Sequence, residues 1–326
     1  MVSTSLRKSD RKSDRKSAAR MLRGNKTIWQ SMKANWAVYV CLAPALIYLI
    51  IFSYAPMYGI QLAFRQHRVW YGIWGSPWVG LDNFRRFTSS FFFGRTVGNT
   101  IRISVYSMVA GFPVPILLAL VLNEVRWSKF KKIVQTVTYA PHFISTVVMV
   151  GMLFLFFNPV HGIVGQITTF FGMPRTDLIN NANTFTHVFV WSGVWQSMGF
   201  GSIIYLGVLS SVDEQLHEAA IVEGATKLQR NRHINLPALL PTITILLILN
   251  FGSIMSVGFE RIFLMQHPLN LSVSEVLATH IFRVGFMGGM DFGLATAIGV
   301  FTGVINCAML ILVNQVARKI SSTSLW

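Results

Sequence analysis

The residue pattern with the most specific chemistry lies between Asp213 and Pro237. Its first part is acidic and contains Asp213, Glu214 and Glu218. Acidic residues are favourable at the N-terminus of a helix, which is the positive end of the helix dipole. Gly224 can adopt the positive φ that ends or bends a helix. A basic part follows, with Lys227, Arg230, Arg232 and His233. The pattern predicts two short helices about a glycine, with small residues for close docking, although an amphipathic connector on a lipid surface has the same composition.

A second set of candidates consists of polar and aromatic side chains inside long apolar segments: Trp191, Trp195, Gln196, Asn250, Ser253 and Asn306. Lipid offers such groups no hydrogen-bond partner. We therefore expect them to face a polar cavity, where rings can stack on a solute and amides can bind its hydroxyl groups. The alternative is structural, because Trp is common at membrane interfaces and Asn or Gln often bridges helices.

Patterns for catalysis are missing from the sequence. It contains no G-x-x-x-x-G-K-[ST] loop for ATP and no H-E-x-x-H metal motif. The eight histidines are scattered without ligand spacing, and Cys41 and Cys307 lie in apolar segments. We therefore predict that the chain is not an enzyme and binds neither a metal nor a cofactor.

The composition predicts that lipid is the solvent of most of the chain. Of its 326 residues 52% are hydrophobic and 12% charged, whereas about a quarter of an average soluble domain is charged. Six segments without Asp, Glu, Lys or Arg are long enough to cross a bilayer. They run from Trp36 to Phe64, Ile103 to Asn123, Ile133 to Phe157, His187 to Val212, Leu236 to Phe259 and Phe292 to Ala317.

Because backbone polar groups in lipid must pair within their own segment, we predict an all-α integral membrane protein with six transmembrane helices. Four prolines should kink or break these helices: Pro56, Pro113, Pro115 and Pro141. A shorter apolar stretch, Ile262 to Ser274, contains a histidine and a proline. We expect it to be re-entrant or interfacial and not a seventh span.

The distribution of basic residues predicts the orientation. Residues 1–33 form a basic, polar tail that should be disordered, and residues 34–326 form the transmembrane domain, with an inner loop at about 211–236. With the N-terminus inside, nineteen of the 28 Lys and Arg lie on the inner side. Both termini are therefore predicted to be cytoplasmic. The tail accounts for much of the net charge of +16, so this charge does not indicate nucleic-acid binding. The tail is expected either to bind anionic membrane lipid or only to set the topology.

The inner loop resembles the E-A-A-x-x-x-G signature, followed by I-x-L-P, of the membrane subunits of bacterial ABC importers. The matching residues are Glu218-Ala219-Ala220, Gly224 and Ile234-Asn235-Leu236-Pro237. Other stretches resemble the subfamily that imports oligo- and polysaccharides such as alginate, and the resemblance covers nearly everything after Asn35. They include Met57-Tyr58-Gly59, Gly75-Ser76-Pro77-Trp78, Tyr139-Ala140-Pro141-His142 and Gly258-Phe259-Glu260.

The resemblance implies a multi-pass permease of the bacterial inner membrane with the six-helix importer fold. It implies a second permease subunit, usually in a heterodimer, two ATP-binding subunits that hold ATP and Mg²⁺, and a periplasmic solute-binding protein that delivers the saccharide. The residues expected to couple to the ATPases are Glu218, Ala219, Ala220, Gly224, Ala225, Ile234, Leu236 and Pro237.

The outer side carries nine arginines against five acidic residues. They are Arg65, Arg68, Arg85, Arg86, Arg95, Arg102, Arg175, Arg261 and Arg283. Arginine binds carboxylates through paired hydrogen bonds, so this rim favours an acidic saccharide such as an alginate fragment. The same arginines would also suit docking of an acidic lobe of the binding protein, or anionic lipid heads.

A secondary carrier or channel for a polar solute is the alternative function. The lack of charged residues in the six segments argues against a proton-coupled carrier, but sodium-coupled carriers can use backbone oxygens. A membrane enzyme, such as a partner of a glycosyltransferase, is disfavoured because the sequence lacks clustered carboxylates.

Overall fold

The computed structural model describes residues 33, 35–172 and 174–320. The predicted basic tail, apart from Lys33, lies outside the described residues. The described chain is helical, and its extended pairing is limited to two isolated bridges, Arg65 with Trp78 and Arg68 with Gly72. The all-α prediction is therefore confirmed for this part of the chain.

Seventeen α-helices follow one another in the described residues. They are α1 (Trp36–Leu49), α2 (Ala55–Met57), α3 (Gly72–Gly75), α4 (Asp82–Thr88), α5 (Phe91–Gly111), α6 (Pro113–Asn123), α7 (Ser128–Tyr139), α8 (Thr146–Phe156), α9 (Ile163–Phe170), α10 (Ala182–Leu209), α11 (Glu214–Val222), α12 (Lys227–Arg230), α13 (Leu236–Phe251), α14 (Phe259–Met265), α15 (Leu271–Ser274), α16 (Leu277–Phe282) and α17 (Phe292–Ile320). Short 3-10 turns cover Tyr58–Phe64, Val69–Tyr71 and Ala140–Phe143, and π-turns cover Ile50–Tyr54, Asn231–Asn235 and Arg283–Met287.

Four helical stretches of the described chain are long and apolar enough to cross a membrane: Trp36–Phe64, Phe91–Asn123, Lys227–Phe251 and Phe292–Lys319. The bent pair Ser128–Phe143 and Thr146–Phe156 makes a fifth if it counts as one span. The remaining predicted segment lies in α10, which has 28 residues but is more polar, with His187, Gln196 and Ser197 along it. The six-helix arrangement stays a prediction.

The predicted prolines lie where helices change or end. Pro56 is in the first turn of α2, after the π-turn, and Pro113 and Pro115 both lie in the first turn of α6. Pro141 lies in the 3-10 turn between α7 and α8, where the chain bends by 102°. A proline has no N–H to donate and its ring clashes with the preceding turn, which explains these positions. Pro44 and Pro241, in contrast, lie inside α1 and α13.

The described chain divides into two compact units, with the boundary between Gly59 and Ile60. The first contains α1 and α2. The second contains every later helix, and α10 contacts α5, α6, α7, α13 and α15 within it. One core of this unit packs Phe185 and Phe189 of α10 with Ile103, Met149 and Ile262. A second core packs Tyr205 and Leu209 of α10 with residues of α6 and α13.

The stretch from Ile262 to Ser274 forms the end of α14, a turn and then α15. Neither helix exceeds seven residues, so neither can cross roughly 30 Å of hydrocarbon. The prediction that this stretch is not a seventh span agrees with these lengths.

Candidate functional site

The predicted coupling segment folds as two helices about a glycine. Asp213 caps α11 by accepting a hydrogen bond from the N–H of Gln215 at 3.0 Å. Gly224 ends the helix with φ of +81°. The N–H of Ala225 donates to the carbonyl of Ala220 at 2.8 Å, and that of Gly224 donates to Ile221 at 3.0 Å. This pair of bonds is the Schellman motif, which needs a left-handed residue at the position of Gly224.

The second half of the segment also begins with a helix cap. Thr226 and Gln229 form a reciprocal capping box at the start of α12. A π-turn follows, and the amide of Asn235 donates to Asn231 at 2.6 Å. The guanidinium of Arg230 lies 3.3 Å from the carboxylate of Glu124 at the end of α6. The segment is therefore attached to the helices and is not a free loop.

Four large apolar residues of this segment are exposed among its polar ones. Val222 is 87% exposed and Leu228 78% exposed, and Leu216 and Ile221 are more than half exposed. Among the predicted coupling residues, Glu218, Ala219, Gly224, Leu236 and Pro237 are exposed, and Ala220, Ala225 and Ile234 are half-buried. Clustered apolar residues at a surface mark an interaction site.

A polar cavity of about 460 Å³ lies between α5, α6, α10, α13 and the start of α14. That volume falls in the range of about 300–1,000 Å³ for small-molecule sites. Hydroxyl and amide groups line it, including Ser104, Ser107, Ser197, Tyr205, Asn250 and Ser253. Asn250 and Ser253 are thus two of the predicted pathway residues that the structure brings together.

A neighbouring cavity of about 490 Å³ contains Gln196, His142 and Thr146. It shares Ser107, Gly111, Ser197 and Arg261 with the first cavity, so the two adjoin. Gln196 donates from its amide to the carbonyl of Ile144 at 3.0 Å. Three predicted pathway residues therefore line these two cavities.

The other three predicted pathway residues lie elsewhere. Trp191 and Trp195 line a separate, apolar cavity of about 320 Å³ beside Met149 and Phe156. The indole N–H of Trp191 donates to the hydroxyl of Tyr106 at 3.0 Å. Their role as pathway groups stays a prediction.

Asn306 bridges α17 to the turn after α13. Its carbonyl oxygen accepts from the N–H of Met255 at 2.9 Å, and its amide donates to Ser256 at 3.0 Å. This is the helix-bridging alternative that the sequence left open. The amide of Asn250, in contrast, donates only to Leu246 of its own helix, at 2.8 Å.

Arg261 is a cavity residue that the sequence analysis assigned to the outer arginine rim. Its guanidinium carbon lies 4.0 Å from the centre of the Phe189 ring, and Arg261 lines both polar cavities. Other predicted rim arginines bind within the chain instead. Arg95 and Arg283 pair with the buried carboxylate of Glu275, and Arg86 pairs with Asp291. The number of charges along the sequence indicates neither the cavity nor these ion pairs.

No metal-ligating group of three or more His, Cys, Asp or Glu occurs among residues 35–172 and 174–320. The arrangement offers docking and solute binding: an apolar, capped segment at one place and hydroxyl-lined cavities at another.

Comparison with known proteins gives a consistent assignment. Residues 111–322 match the family described as the binding-protein-dependent transport system inner membrane component. The polygalacturonan/rhamnogalacturonan transport system permease protein YteP of Bacillus subtilis is 38% identical over 290 residues, which are 89% of this chain and 90% of YteP. Protein LplB of Bacillus subtilis is 35% identical over 310 residues, 94% of this chain and 97% of LplB.

A solved structure is similar over the same extent. It is a chain of the bacterial alginate ABC transporter in complex with an alginate pentasaccharide-bound periplasmic protein, and the TM-score is 0.84. The two chains are 36% identical, and the match covers 91% of this chain and 99% of that one. This chain therefore belongs to the family of inner-membrane components of binding-protein-dependent transport systems.

Proposed function

We propose that this chain is one membrane subunit of an ATP-driven importer and forms part of the pathway for an acidic oligo- or polysaccharide. The observation that carries the proposal is the 38% identity to YteP and the 36% identity to the alginate transporter chain, both over about nine tenths of this chain. A periplasmic binding protein delivers the saccharide, as the composition of the alginate complex supports. A second permease subunit completes the pathway, and a heterodimer is the usual arrangement of this family.

Two ATP-binding subunits, which hold ATP and Mg²⁺, dock on the segment from α11 to α12. The exposed apolar residues and the rigid Schellman turn support this role, because a docking surface must both bind and transmit motion. Glu218 is exposed and can form a charge-assisted hydrogen bond with a basic group of the ATPase.

The acidic nature of the saccharide has support from the cavities. Several predicted rim arginines are paired within the chain, so the rim argument is weaker than the sequence alone implies. Arg261, however, brings a cationic group into a cavity lined by hydroxyl groups. Its place there is the better support for an acidic solute.

The proposed topology has six spans and both termini in the cytoplasm. It can be tested in a chain whose native cysteines are replaced, Cys41→Ser and Cys307→Ser. Ser89→Cys, at an exposed position after α4, should react with an impermeant thiol reagent from the periplasm. Ser17→Cys, in the tail outside the described residues, should react only after the membrane is opened. Labelling of both from outside would contradict this topology.

The function is tested by co-purification with the ATPase subunits and by ATP hydrolysis in liposomes. Uronate oligomers on the binding protein should stimulate hydrolysis. Glu218→Gln should reduce the stimulation, whereas Asp82→Asn, at an exposed carboxylate in the first turn of α4 and outside the docking segment, serves as the control. Stable expression without any associated ATPase would exclude the proposal and favour a secondary carrier.

A further inference from the structure

Arg261 occupies the junction of the two polar cavities. It is one of four residues common to both linings, with Ser107, Gly111 and Ser197. Its guanidinium stacks on Phe189 of α10 and packs against Gly193, one turn further along the same helix. A Cβ added at Gly193 would overlap the guanidinium nitrogens. The missing side chain at Gly193 therefore makes the space in which this charge lies.

The charge of Arg261 has no counter-charge in the described part of the chain. No hydrogen bond or ion pair there reaches its guanidinium, and no Asp or Glu lines either cavity. Other arginines without a side-chain partner, such as Arg68 and Arg85, are exposed at the surface, whereas Arg261 is half-buried.

Removing a guanidinium from water without a counter-charge is costly, and stacking on one phenyl ring returns only about 0.5–2 kcal/mol. A bound anion would offset the remainder. The groups around Arg261 favour one class of anion. The planar guanidinium binds a carboxylate through two parallel hydrogen bonds. Ser107, Ser197 and Ser256 contribute hydroxyl groups to the lining of the same cavity, and Asn250 contributes an amide, which suit the hydroxyl groups of a sugar ring.

We propose that Arg261 is a specificity-determining residue that binds the carboxylate of a uronate unit as the saccharide passes through this cavity. The inference rests on the proposed function and adds the group that selects the acidic substrate. Phe189 and Gly193 position the guanidinium. Gly193→Ala should displace it while leaving its charge, and the displacement should cost little because the clashing atoms end a flexible side chain.

The test uses the complete complex in liposomes, with partner permease, ATPases and binding protein. Two probes are compared: a uronate tetrasaccharide and the same tetrasaccharide with its carboxyl groups reduced to alcohols. The measured quantity is the ratio of acidic to neutral uptake rate. Arg261→Gln should lower this ratio about tenfold, the equivalent of ~1.4 kcal/mol. Arg261→Lys should give an intermediate ratio, because it keeps the charge but loses the planar fork.

Two control variants separate this effect from general ones. Arg126→Gln removes an exposed charge that belongs neither to the cavities nor to the outer arginine rim, and Gly207→Ala adds a methyl group on α10 where nothing lies within 4 Å. Both should keep the wild-type ratio, whereas Gly193→Ala should lower it. Assembly of each complex is checked by gel filtration, and the ratio within one variant is insensitive to its yield.

The outcomes distinguish the two levels of the proposal. Uptake of neither probe by the wild type would overturn the proposed function and this inference with it. Uptake of both probes at equal rates, or an unchanged ratio in Arg261→Gln and Gly193→Ala, would overturn the assignment of Arg261 alone. A lowered ratio in both variants, with both controls unchanged, is the result that the inference predicts.

Discussion

The guanidinium of Arg230 lies 3.3 Å from the carboxylate of Glu124, although 106 residues separate them in the chain. The pair joins α12, in the proposed ATPase-docking segment, to the cytoplasmic end proposed for α6. Both side chains are largely buried, at 12% and 17% exposure. A force applied to the segment would therefore reach α6, whose Pro115 lines the first cavity.

We expect this pair to couple ATP hydrolysis to transport. Arg230→Gln or Glu124→Gln leaves the other charge without its partner, which costs about 1–3 kcal/mol. Each should lower the uptake per ATP hydrolysed, measured in liposomes. The double exchange, Glu124→Arg with Arg230→Glu, should recover much of the loss. Lys129→Gln, at an exposed position in α7, is the charge control. Independent, additive effects of the two single changes would contradict coupling through this pair.

Substitutions of Gly224 can show whether glycine is needed for the backbone conformation or for contact with a partner subunit. Its φ of +81° disfavours most side chains, and Asn and Asp tolerate this region better than Ala. An added Cβ meets nothing within 4 Å in the isolated chain. Gly224→Ala should therefore cost about 1–2 kcal/mol through backbone strain alone, measured by thermal unfolding.

The same position tests the docking surface. Gly224→Asp should leave the protein in the membrane but separate ATP hydrolysis from uptake, or release the ATPase, because it adds a charge beside the exposed apolar residues Ile221 and Val222. Gly224→Asn is the control, because Asn has nearly the shape of Asp but no charge. Loss of uptake in Gly224→Asp alone would show that the charge is responsible, and loss in both variants would show that a surface packs against Gly224. Normal uptake by Gly224→Asp would exclude the docking assignment.

Asn250 and Asn306 should behave differently although both are amides in apolar helices. Asn250→Leu removes a cavity group that bonds only within its own helix, so uptake should fall while assembly stays normal. Asn306→Leu leaves the N–H of Met255 and the hydroxyl of Ser256 without their partner, so stability should fall by about 1–3 kcal/mol. Uptake rates and melting temperatures of the two variants make the comparison. Assembly failure in Asn250→Leu would favour a bridging role there too.

Stability at acidic pH should depend on Glu275, whose carboxylate is fully buried and bound by Arg95, Arg283 and His280. Burial alone raises the pKa of Glu275, but the hydrogen bonds from His280 and Arg95 and the charges of Arg283 and Arg95 outweigh it and hold the pKa below its usual value. Its contribution is therefore present above the unfolded carboxyl pKa of about 4.3 and is lost as the pH falls through the lower folded pKa.

The measurement is the melting temperature of the purified protein from neutral to strongly acidic pH. Glu275→Gln should lower it at neutral pH, because Arg95 and Arg283 lose their counter-charge, and should flatten its decline in acid. Glu214→Gln, at an exposed carboxylate, is the control and should follow the wild type. Parallel pH profiles of the wild type and Glu275→Gln would show that this carboxylate is not the group responsible.

Features set by local sequence were predictable. The length of the uncharged segments predicted the apolar helices. The prolines predicted the breaks before α6 and between α7 and α8. The glycine between an acidic and a basic stretch predicted the turn at Gly224. Each depends on neighbouring residues, whose conformational limits hold whatever the tertiary structure.

Features set by packing were not predictable. Asn250, Asn306 and Trp191 are all hydrogen-bonding residues within apolar segments, and the sequence does not distinguish their surroundings. Only the rotation of each helix decides whether such a residue lies at a cavity, a neighbouring loop or an apolar pocket. Arg95 pairs with Glu275 across 180 residues, so a count of outer charges overestimates the free arginines. Arg261 entered that count as one more outer charge, because nothing local to it indicates the space beside Gly193.

This chain should import saccharides only as part of an ATP-driven, binding-protein-dependent complex. The most direct test is uptake of a labelled uronate oligomer into liposomes that contain the whole complex with ATP enclosed. Uptake should require both ATP and the binding protein and should be lost in Gly224→Asp. Uptake that proceeds without ATP, driven by a sodium or proton gradient, would contradict the proposed function.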